Sequence, residues 1–177
     1  MLVVNLFGAP GAGKSTGAAY VFSQLKLAGV NAELVTEFAK DKVWEESKAV
    51  FQNQAYIFGK QYFRISRLQD KVDVVITDSP LLLSSFYSSD ETLGAEFDAL
   101  VTKVFNSYRS MNVFINRVKP YNPTGRFQNE TESDALVGKL NDFLNEHGVS
   151  CRYYDGSIDG YNVLIQDILK VIKEYSK

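Results

Sequence analysis

The feature that constrains this chain most is an apolar strand that runs directly into a complete phosphate-binding loop. Residues 2–7 read Leu-Val-Val-Asn-Leu-Phe, and the loop that follows has the form GxxxxGKS. Its glycines permit backbone geometry that turns successive amides toward an anion, and Lys14 adds a positive charge for the β- and γ-phosphates. A helix that begins at Ser15 directs its N-terminal amides at the same phosphates, and the Ser15 hydroxyl is placed to bind Mg²⁺. A plain glycine turn between strand and helix is the alternative. The predicted nucleotide-binding residues are Gly8, Ala9, Pro10, Gly11, Ala12, Gly13, Lys14, Ser15 and Thr16.

Length and composition predict one enzyme-sized domain over residues 1–177. The chain is 45% apolar, enough for a substantial core, and its net charge of -2 does not indicate a protein that coats polyanions by global charge. A local basic groove that binds a polyanion is the alternative. The single cysteine excludes an intrachain disulfide, and no apolar run is long enough to span a bilayer. We therefore expect a cytoplasmic protein, in the host cytoplasm if it is viral, with no membrane partner.

Strands and helices are predicted to alternate along the chain. The strands are expected at residues 2–7, 31–36, 72–77, 111–116 and 149–154. Helical spacing of apolar residues, together with turn signals, predicts helices near residues 15–28, 50–69, 81–87, 92–110, 132–147 and 161–175. This pattern predicts a three-layer α/β/α fold with a five-stranded parallel sheet and a ligand site beyond the carboxyl ends of the strands.

Two carboxylates follow strands at this edge. Glu37 comes after the second strand, where it is expected to accept the proton of an attacking substrate hydroxyl; capping of the next helix is the alternative. Asp78 ends the third strand in Asp-Ser-Pro, a Walker B position suited to holding Mg²⁺. Which of the two is the base stays open. Ser79 occupies the place where ATP hydrolases carry a second acid, which favours transfer of phosphate to an acceptor.

The segment after the fourth strand predicts a polar flap near residues 117–130. It contains two prolines, one glycine and three cations, and Arg117 and Arg126 are its candidate catalytic side chains because a guanidinium can bridge phosphate oxygens. A solvated loop is the alternative. Asp155, after the fifth strand, is expected near adenine.

The long third helical stretch carries candidates for acceptor binding. Phe58 lies among several aromatic residues that can stack on a base, with core packing as the alternative. Arg64 is expected to meet a substrate phosphate or solvent.

The chain resembles the AAA-type P-loop kinases related to the nicotinamide riboside kinase domain. The resemblance rests on the GAPGAGKST start, Thr-Glu-Phe-Ala-Lys at 36–40, Gln54 and Gln61, Ile-Thr-Asp-Ser-Pro at 76–80, and Gly-Arg at 125–126. It looks most like small phage-type members, which are similar to thymidylate-kinase-like enzymes that phosphorylate 5-hydroxymethyluracil in DNA. Deoxynucleoside kinases are more distantly similar, and by that likeness Trp44 and Gln54 or Gln61 would contact a base beside Glu37.

The resemblance implies a kinase that uses ATP and Mg²⁺ and phosphorylates a hydroxyl of a nucleoside, a nucleotide or a DNA base. It favours 5-hydroxymethyluracil in phage DNA, whereas the modest net charge favours a small acceptor such as a free nucleoside, a nucleoside monophosphate or nicotinamide riboside. A regulatory ATP-binding module, with the same loop but no acceptor pocket, is an alternative of another class.

Overall fold

A five-stranded, all-parallel sheet forms the centre of the molecule. The computed structural model describes residues 1–39, 50, 52–89, 91–124 and 129–175. The strands are β1 (Leu2–Phe7), β2 (Ala32–Val35), β3 (Val74–Thr77), β4 (Arg109–Asn116) and β5 (Arg152–Asp155), in the spatial order β2-β3-β1-β4-β5. The central strand, β1, pairs with β3 on one side and β4 on the other. The predicted parallel sheet is therefore confirmed.

Six helices among the described residues cover the sheet. They are α1 (Lys14–Leu27), α2 (Gln54–Ser66), α3 (Leu83–Phe86), α4 (Gly94–Asn106), α5 (Glu130–Glu146) and α6 (Ile158–Tyr175). None of the helices in the described ranges is both long enough and apolar enough to cross a membrane.

Alternate residues of β1 point into two separate cores, which produces the three layers. Leu2, Val4 and Leu6 pack with buried residues of α1 and α6 on one face. Val3 and Phe7 pack on the other face with buried residues of α2, α4 and α5. Because both faces of a parallel strand are covered, β1 is apolar at nearly every position, with all six residues buried.

The helix boundaries differ from those that apolar spacing predicts. Residues 109–110 were expected at the end of a helix but already belong to β4, because Arg109 pairs in register with Leu2. The start of α2 is set by Asn53, whose side chain accepts a hydrogen bond from the amide of Tyr56. At the start of α5, Asn129 and Glu132 form a reciprocal capping box, so this helix begins at Glu130, two residues before the predicted position.

Candidate active site

The phosphate-binding loop connects β1 to α1 at the carboxyl edge of the sheet. Gly8 has a φ of 138° and Gly13 a φ of 105°, values that side chains rarely allow. A Cβ on Gly8 would also lie 2.7 Å from the carbonyl oxygen of Ile115 in β4. Gly13 is the N-cap of α1, and within the described residues no side chain caps this helix and no acid lies in its first turn. The loop therefore ends in an open helix N-terminus, the arrangement that attracts phosphate groups.

Two side chains from distant helices hold carbonyl groups of this loop. Ser133 of α5 donates from Oγ to the Pro10 carbonyl oxygen over 2.7 Å, and Tyr161 of α6 donates from its hydroxyl to the Gly13 carbonyl oxygen over 3.0 Å. Both side chains are buried. In a planar trans peptide the carbonyl and the following amide point in opposite directions, so each bond also orients the next N–H group. The two bonds fix two peptide groups of the loop with their amides directed away from α5 and α6.

The Lys14 side chain folds back over the loop. Its Nζ donates to the carbonyl oxygen of Gly8 over 2.6 Å and to that of Ala9 over 3.2 Å. Next along the helix, Ser15 and Thr16 are exposed in the first turn of α1. An ammonium group and a hydroxyl thus lie at the same open helix end.

The two carboxylate residues singled out in the sequence are neighbours. Asp78 directly follows β3 and is only 4% exposed, and its Oδ1 accepts a hydrogen bond from the backbone amide of Glu37 over 2.9 Å. Because β2 and β3 are adjacent and parallel, the segments after them meet at one edge. Among the described residues, no group of three or more His, Cys, Asp or Glu side chains is placed to hold a metal. Asp78 and Ser15, the two residues predicted to bind Mg²⁺, follow strands β3 and β1 at this same edge.

Gln61 ties the same edge together from α2. Its side-chain oxygen accepts from the Phe38 amide over 3.2 Å, and its side-chain nitrogen donates to the Thr77 hydroxyl over 3.3 Å. Both ends of this buried amide are therefore used inside the protein. The resemblance offers Gln54 or Gln61 for recognition of a base. Gln54, at the start of α2, is buried like Gln61.

Tyr87, which the sequence did not single out, lies near Glu37. Burial and the negative charge of the Glu37 carboxylate raise the pKa of Tyr87 to about 12. The phenol therefore keeps its proton at neutral pH and can act as a hydrogen-bond donor near the carboxylate.

The remaining residues predicted on α2 have different surroundings. Phe58 is buried in the core, with its ring centroid 5.8 Å from that of Phe97, as the packing alternative predicts. Arg64 donates from Nη1 to the carbonyl oxygen of Thr36 over 3.0 Å, and its guanidinium lies 5.2 Å from the ring centroid of Phe38. Arg64 therefore lies beside the segment that carries Glu37, whereas Phe58 stabilises the helix.

Arg117 is bound to α5. Its guanidinium lies 3.2 Å from the Glu130 carboxylate and also contacts that of Asp134, while the ring of Tyr121 lies 5.3 Å away. Two acids thus neutralise its charge at the start of the predicted flap. The other flap arginine, Arg126, and the base-recognition candidate Trp44 lie outside the described residues.

The turn after β5 packs against the phosphate loop. Asp155 is the exposed last residue of β5. The next residue, Gly156, donates its amide to the Asn116 carbonyl oxygen over 2.8 Å, and a Cβ there would lie 2.2 Å from the carbonyl oxygen of Ala12. Only a residue without a side chain permits this approach, so the turn packs directly against the loop.

Ser133 and Tyr161, like Tyr87, are residues of the candidate site that sequence reasoning missed. Ser133 is one hydroxyl in the polar run Glu-Thr-Glu-Ser-Asp, and Tyr161 begins an apolar helical pattern. Neither local pattern distinguishes a side chain that contacts the loop from one that caps or packs a helix.

One family model and several solved structures are similar to this chain. A family model described as an AAA domain matches residues 3–159. The deoxyadenosine kinase of M. mycoides with bound dATP superposes with a TM-score of 0.62 at 18% identity, over 95% of this chain and 99% of that chain. The same kinase with dCMP and a flexible dCDP gives a TM-score of 0.55 at 15% identity, over 97% and 99% of the two chains. An APS kinase from Mycobacterium tuberculosis has a TM-score of 0.42 at 22% identity, over 81% and 96%.

No curated protein sequence matches significantly. The structural similarity to deoxyadenosine kinase shows the P-loop kinase fold, as predicted. Since the family model spans most of its length, this chain belongs to the AAA domain family.

Proposed function

We propose that this chain is a kinase that uses ATP and Mg²⁺ to phosphorylate a hydroxyl of a nucleoside-type or nucleotide-type acceptor. The observation that carries the proposal is the position of the Glu37–Asp78 pair on the same sheet edge as the open, glycine-lined loop. A loop alone would suit any nucleotide-binding module. A loop together with two carboxylate residues at the same edge supplies the groups that phosphoryl transfer requires.

In this proposal the loop amides and Lys14 bind the phosphates of ATP. The bonds from Ser133 and Tyr161 keep the peptide groups oriented before the nucleotide arrives. Preorganised donors stabilise developing charge without reorganising at the moment of reaction. Ser15 and Asp78 would hold Mg²⁺, which neutralises phosphate charge when bound.

Glu37 is proposed to accept the proton of the acceptor hydroxyl. The hydrogen bond to Asp78 uses the backbone amide of Glu37 and not its carboxylate. The neighbouring phenol of Tyr87 stays protonated, so it can donate a hydrogen bond but does not compete as a base.

The proposed acceptor is 5-hydroxymethyluracil in phage DNA, with Gln54 and Trp44 contacting the base and Arg64 a phosphate. The sequence resemblance to phage-type kinases supports this choice, as does the position of Arg64 next to the segment after β2. Arg117 and Arg126 are proposed to close over the transferred phosphate, and Asp155 to lie near adenine. Free nucleosides, nucleoside monophosphates and nicotinamide riboside are the competing acceptors.

The test is transfer of labelled phosphate from ATP. The purified chain is incubated with free nucleosides, nucleoside monophosphates, nicotinamide riboside, and DNA containing 5-hydroxymethyluracil, with unmodified thymine DNA as the matched control. Label on the modified DNA alone supports the full proposal. Label on a free acceptor would support kinase activity but would identify that compound as the substrate instead of DNA. ATP binding without transfer to any acceptor would favour a regulatory nucleotide-binding module.

A further inference from the structure

The outer face of α2 carries alternating aromatic and cationic side chains. Tyr56, Lys60, Phe63 and Arg67 follow the spacing i, i+4, i+7 and i+11, which aligns them along one side of the helix and the turn after it. We call these four residues the α2 stripe. Tyr56 is 43% exposed and Phe63 is 63% exposed, and both cations are exposed as well. The Phe63 ring thus lies mostly in solvent, whereas the Tyr56 ring packs edge-on against Phe38, with 5.5 Å between the centroids, and exposes its other part beside the two positive charges.

Packing of the helix against the sheet does not account for these rings, although Tyr56 also contacts Phe38. The buried residues of α2 are Gln54, Ile57, Phe58, Gln61 and Ile65. They attach the helix to the sheet, so the stripe lies on its outer side. Burying a large aromatic ring gains free energy and exposing it forgoes that gain, so the exposed parts of the two rings are available to a partner that stacks on them.

The charge around the stripe is locally positive in a chain that is slightly acidic. Residues 52–69 contain three cations and no Asp or Glu, whereas the whole chain has a net charge of -2. Within the described part of the chain, neither Lys60 nor Arg67 forms an ion pair. The Lys60 Nζ lies 5.5 Å from the centre of the Tyr56 ring, so cation and ring form one contact surface.

We propose that the α2 stripe binds a single-stranded nucleic acid. Aromatic rings stack on bases of any sequence, and interleaved cations neutralise the phosphates between them. Tyr56 and Phe63 are seven residues apart, about 10 Å along a helix. That length matches about three nucleotides at the spacing of one strand in a duplex. A duplex hides the faces of its bases, so only a single strand can use both rings.

The mixture of residue types favours nucleic acid over a protein partner. The centres of protein interfaces are enriched in aromatic residues but depleted in lysine, which is found mostly at the rim. In the stripe, cations alternate with rings instead of surrounding them. A polyanion with flat apolar bases matches this alternation in both charge and shape.

The inference rests on the proposed function in one respect, since the strand would carry the acceptor base. The helix that bears the stripe also bears Gln54 and Arg64, and Arg64 is hydrogen-bonded to the segment that leads to Glu37. A strand lying along α2 therefore passes beside the proposed active site. The acceptor base would reach the site from a strand that is held outside it.

The test measures fluorescence anisotropy of a labelled oligothymidylate and of the same strand in a duplex, at low and at physiological salt. The variants are Phe63→Ala, Lys60→Gln and Arg67→Gln. Matched controls are Leu27→Ala, which removes an exposed apolar side chain on α1, and Lys103→Gln, which removes an exposed cation on α4. ATP binding of each protein is measured on the same preparation by calorimetry.

We expect the parent to bind the single strand more tightly than the duplex. Phe63→Ala should weaken single-strand binding about tenfold. Each Gln variant should reduce the slope of log affinity against log salt by about 0.7, while the controls match the parent.

Two results would overturn the inference. In one, the parent binds ATP but not the strand; in the other, the stripe variants bind the strand as well as the controls do. Both leave the kinase proposal standing, whereas absence of ATP binding in the parent removes the kinase proposal itself. Self-association that Phe63→Ala abolishes, without strand binding, would identify the stripe as a contact between copies of this chain.

Discussion

The hydroxyl of Tyr161 reaches the carbonyl oxygen of Gly13, although the two residues lie 148 positions apart in the sequence. The approach depends on a second glycine, since a Cβ on Gly17 would lie 2.5 Å from the Tyr161 ring. The Tyr161 ring, on α6, therefore packs against α1 at Gly17. Its hydroxyl supports the phosphate loop where α1 begins. This contact connects the C-terminal helix to the phosphate site.

Removing only this hydroxyl tests its role in the loop. Tyr161→Phe keeps the ring and its packing but deletes one hydrogen bond, worth about 1 kcal/mol in stability. We expect ATP affinity to fall about fivefold, because the peptide group after Gly13 then keeps only the 2.7 Å hydrogen bond from the Gly17 amide. Calorimetric titration with ATP measures the change. Tyr154→Phe is the matched control. The Tyr154 hydroxyl donates to Asp167 of α6 over 2.8 Å, so this variant also removes a hydrogen bond to α6 but leaves the loop untouched. Equal ATP affinity in the two variants would contradict the prediction.

Lys14→Ala is expected to remove nearly all phosphoryl transfer while the fold persists. The ammonium group contributes charge and position to the transition state, and its loss should lower the rate by about 10²-fold or more. Its bonds to the Gly8 and Ala9 carbonyls are lost too, so thermal unfolding is measured alongside the rate. Lys26→Ala, an exposed change in the last turn of the same helix, is the control. Activity within a few fold of the parent would show that the loop has another use.

Substitutions of the two neighbouring carboxylate residues are expected to affect phosphoryl transfer and ATP binding differently. Glu37→Gln should abolish transfer but keep the affinity for ATP with Mg²⁺, because the amide preserves size and cannot take a proton. Asp78→Asn should weaken Mg²⁺-dependent ATP binding and lower the rate of transfer. The asparagine side-chain oxygen can still accept a hydrogen bond from the Glu37 amide. ATP titrations with and without Mg²⁺ separate the outcomes. The reverse pattern would assign the base to Asp78.

Arg117→Ala is expected to lower kcat at least tenfold if the flap arginines act on the transferred phosphate. The loss of its pairs with Glu130 and Asp134 should lower the free energy of unfolding by only about 1 kcal/mol, because both acids are more than half exposed. Asp134→Asn weakens the pair but keeps the guanidinium, so it should retain activity. If kcat falls in proportion to stability in both variants, Arg117 is structural.

The ion pair between His147 and Asp98 should make stability depend on pH. Burial lowers the pKa of His147, but hydrogen bonds to the Phe143 carbonyl and to Asp98 outweigh this and raise that pKa above its ordinary 6.5. A hydrogen bond from Ser85 lowers the pKa of Asp98 below its ordinary 3.8; burial opposes this shift, and His147 reinforces it.

The sign of the pH effect follows from these two directions. A raised His147 pKa stabilises the fold fully below pH 6.5, and this contribution is lost as pH rises through the raised value. A lowered Asp98 pKa stabilises the fold above pH 3.8, and this contribution is lost as pH falls through the lowered value. The stability difference between the parent and His147→Gln should therefore be largest between those limits and shrink in alkaline buffer. Since the Asp98 side chain is 46% exposed, about 0.5 kcal/mol is expected, measured by urea unfolding across pH. A difference that grows with rising pH would be inconsistent with this pair.

Local sequence patterns were enough to predict the strands, the sheet class and the glycine loop. The run at residues 2–7 has the composition of a strand buried on both faces, and the loop residues have geometric requirements that few sequences meet. The contacts that support the loop were not predictable in the same way. The roles of Ser133 and Tyr161 depend on how α5 and α6 dock on the sheet. The sequence around Arg117 is equally consistent with a cation that faces a phosphate and with one that pairs with acids on α5. Tertiary docking decides these roles, and no short window of sequence contains it.

The central position of β1 also determines when the phosphate loop can form during synthesis. The strand needs β3 on one side and β4 on the other, so its second edge stays unpaired until the ribosome has released the segment through Asn116. The loop then gains its last supports only when α5 and α6 have emerged. A nascent chain would therefore acquire its full ATP affinity only after α6 has emerged, and a series of arrested chains would show nucleotide protection only at lengths that expose this helix.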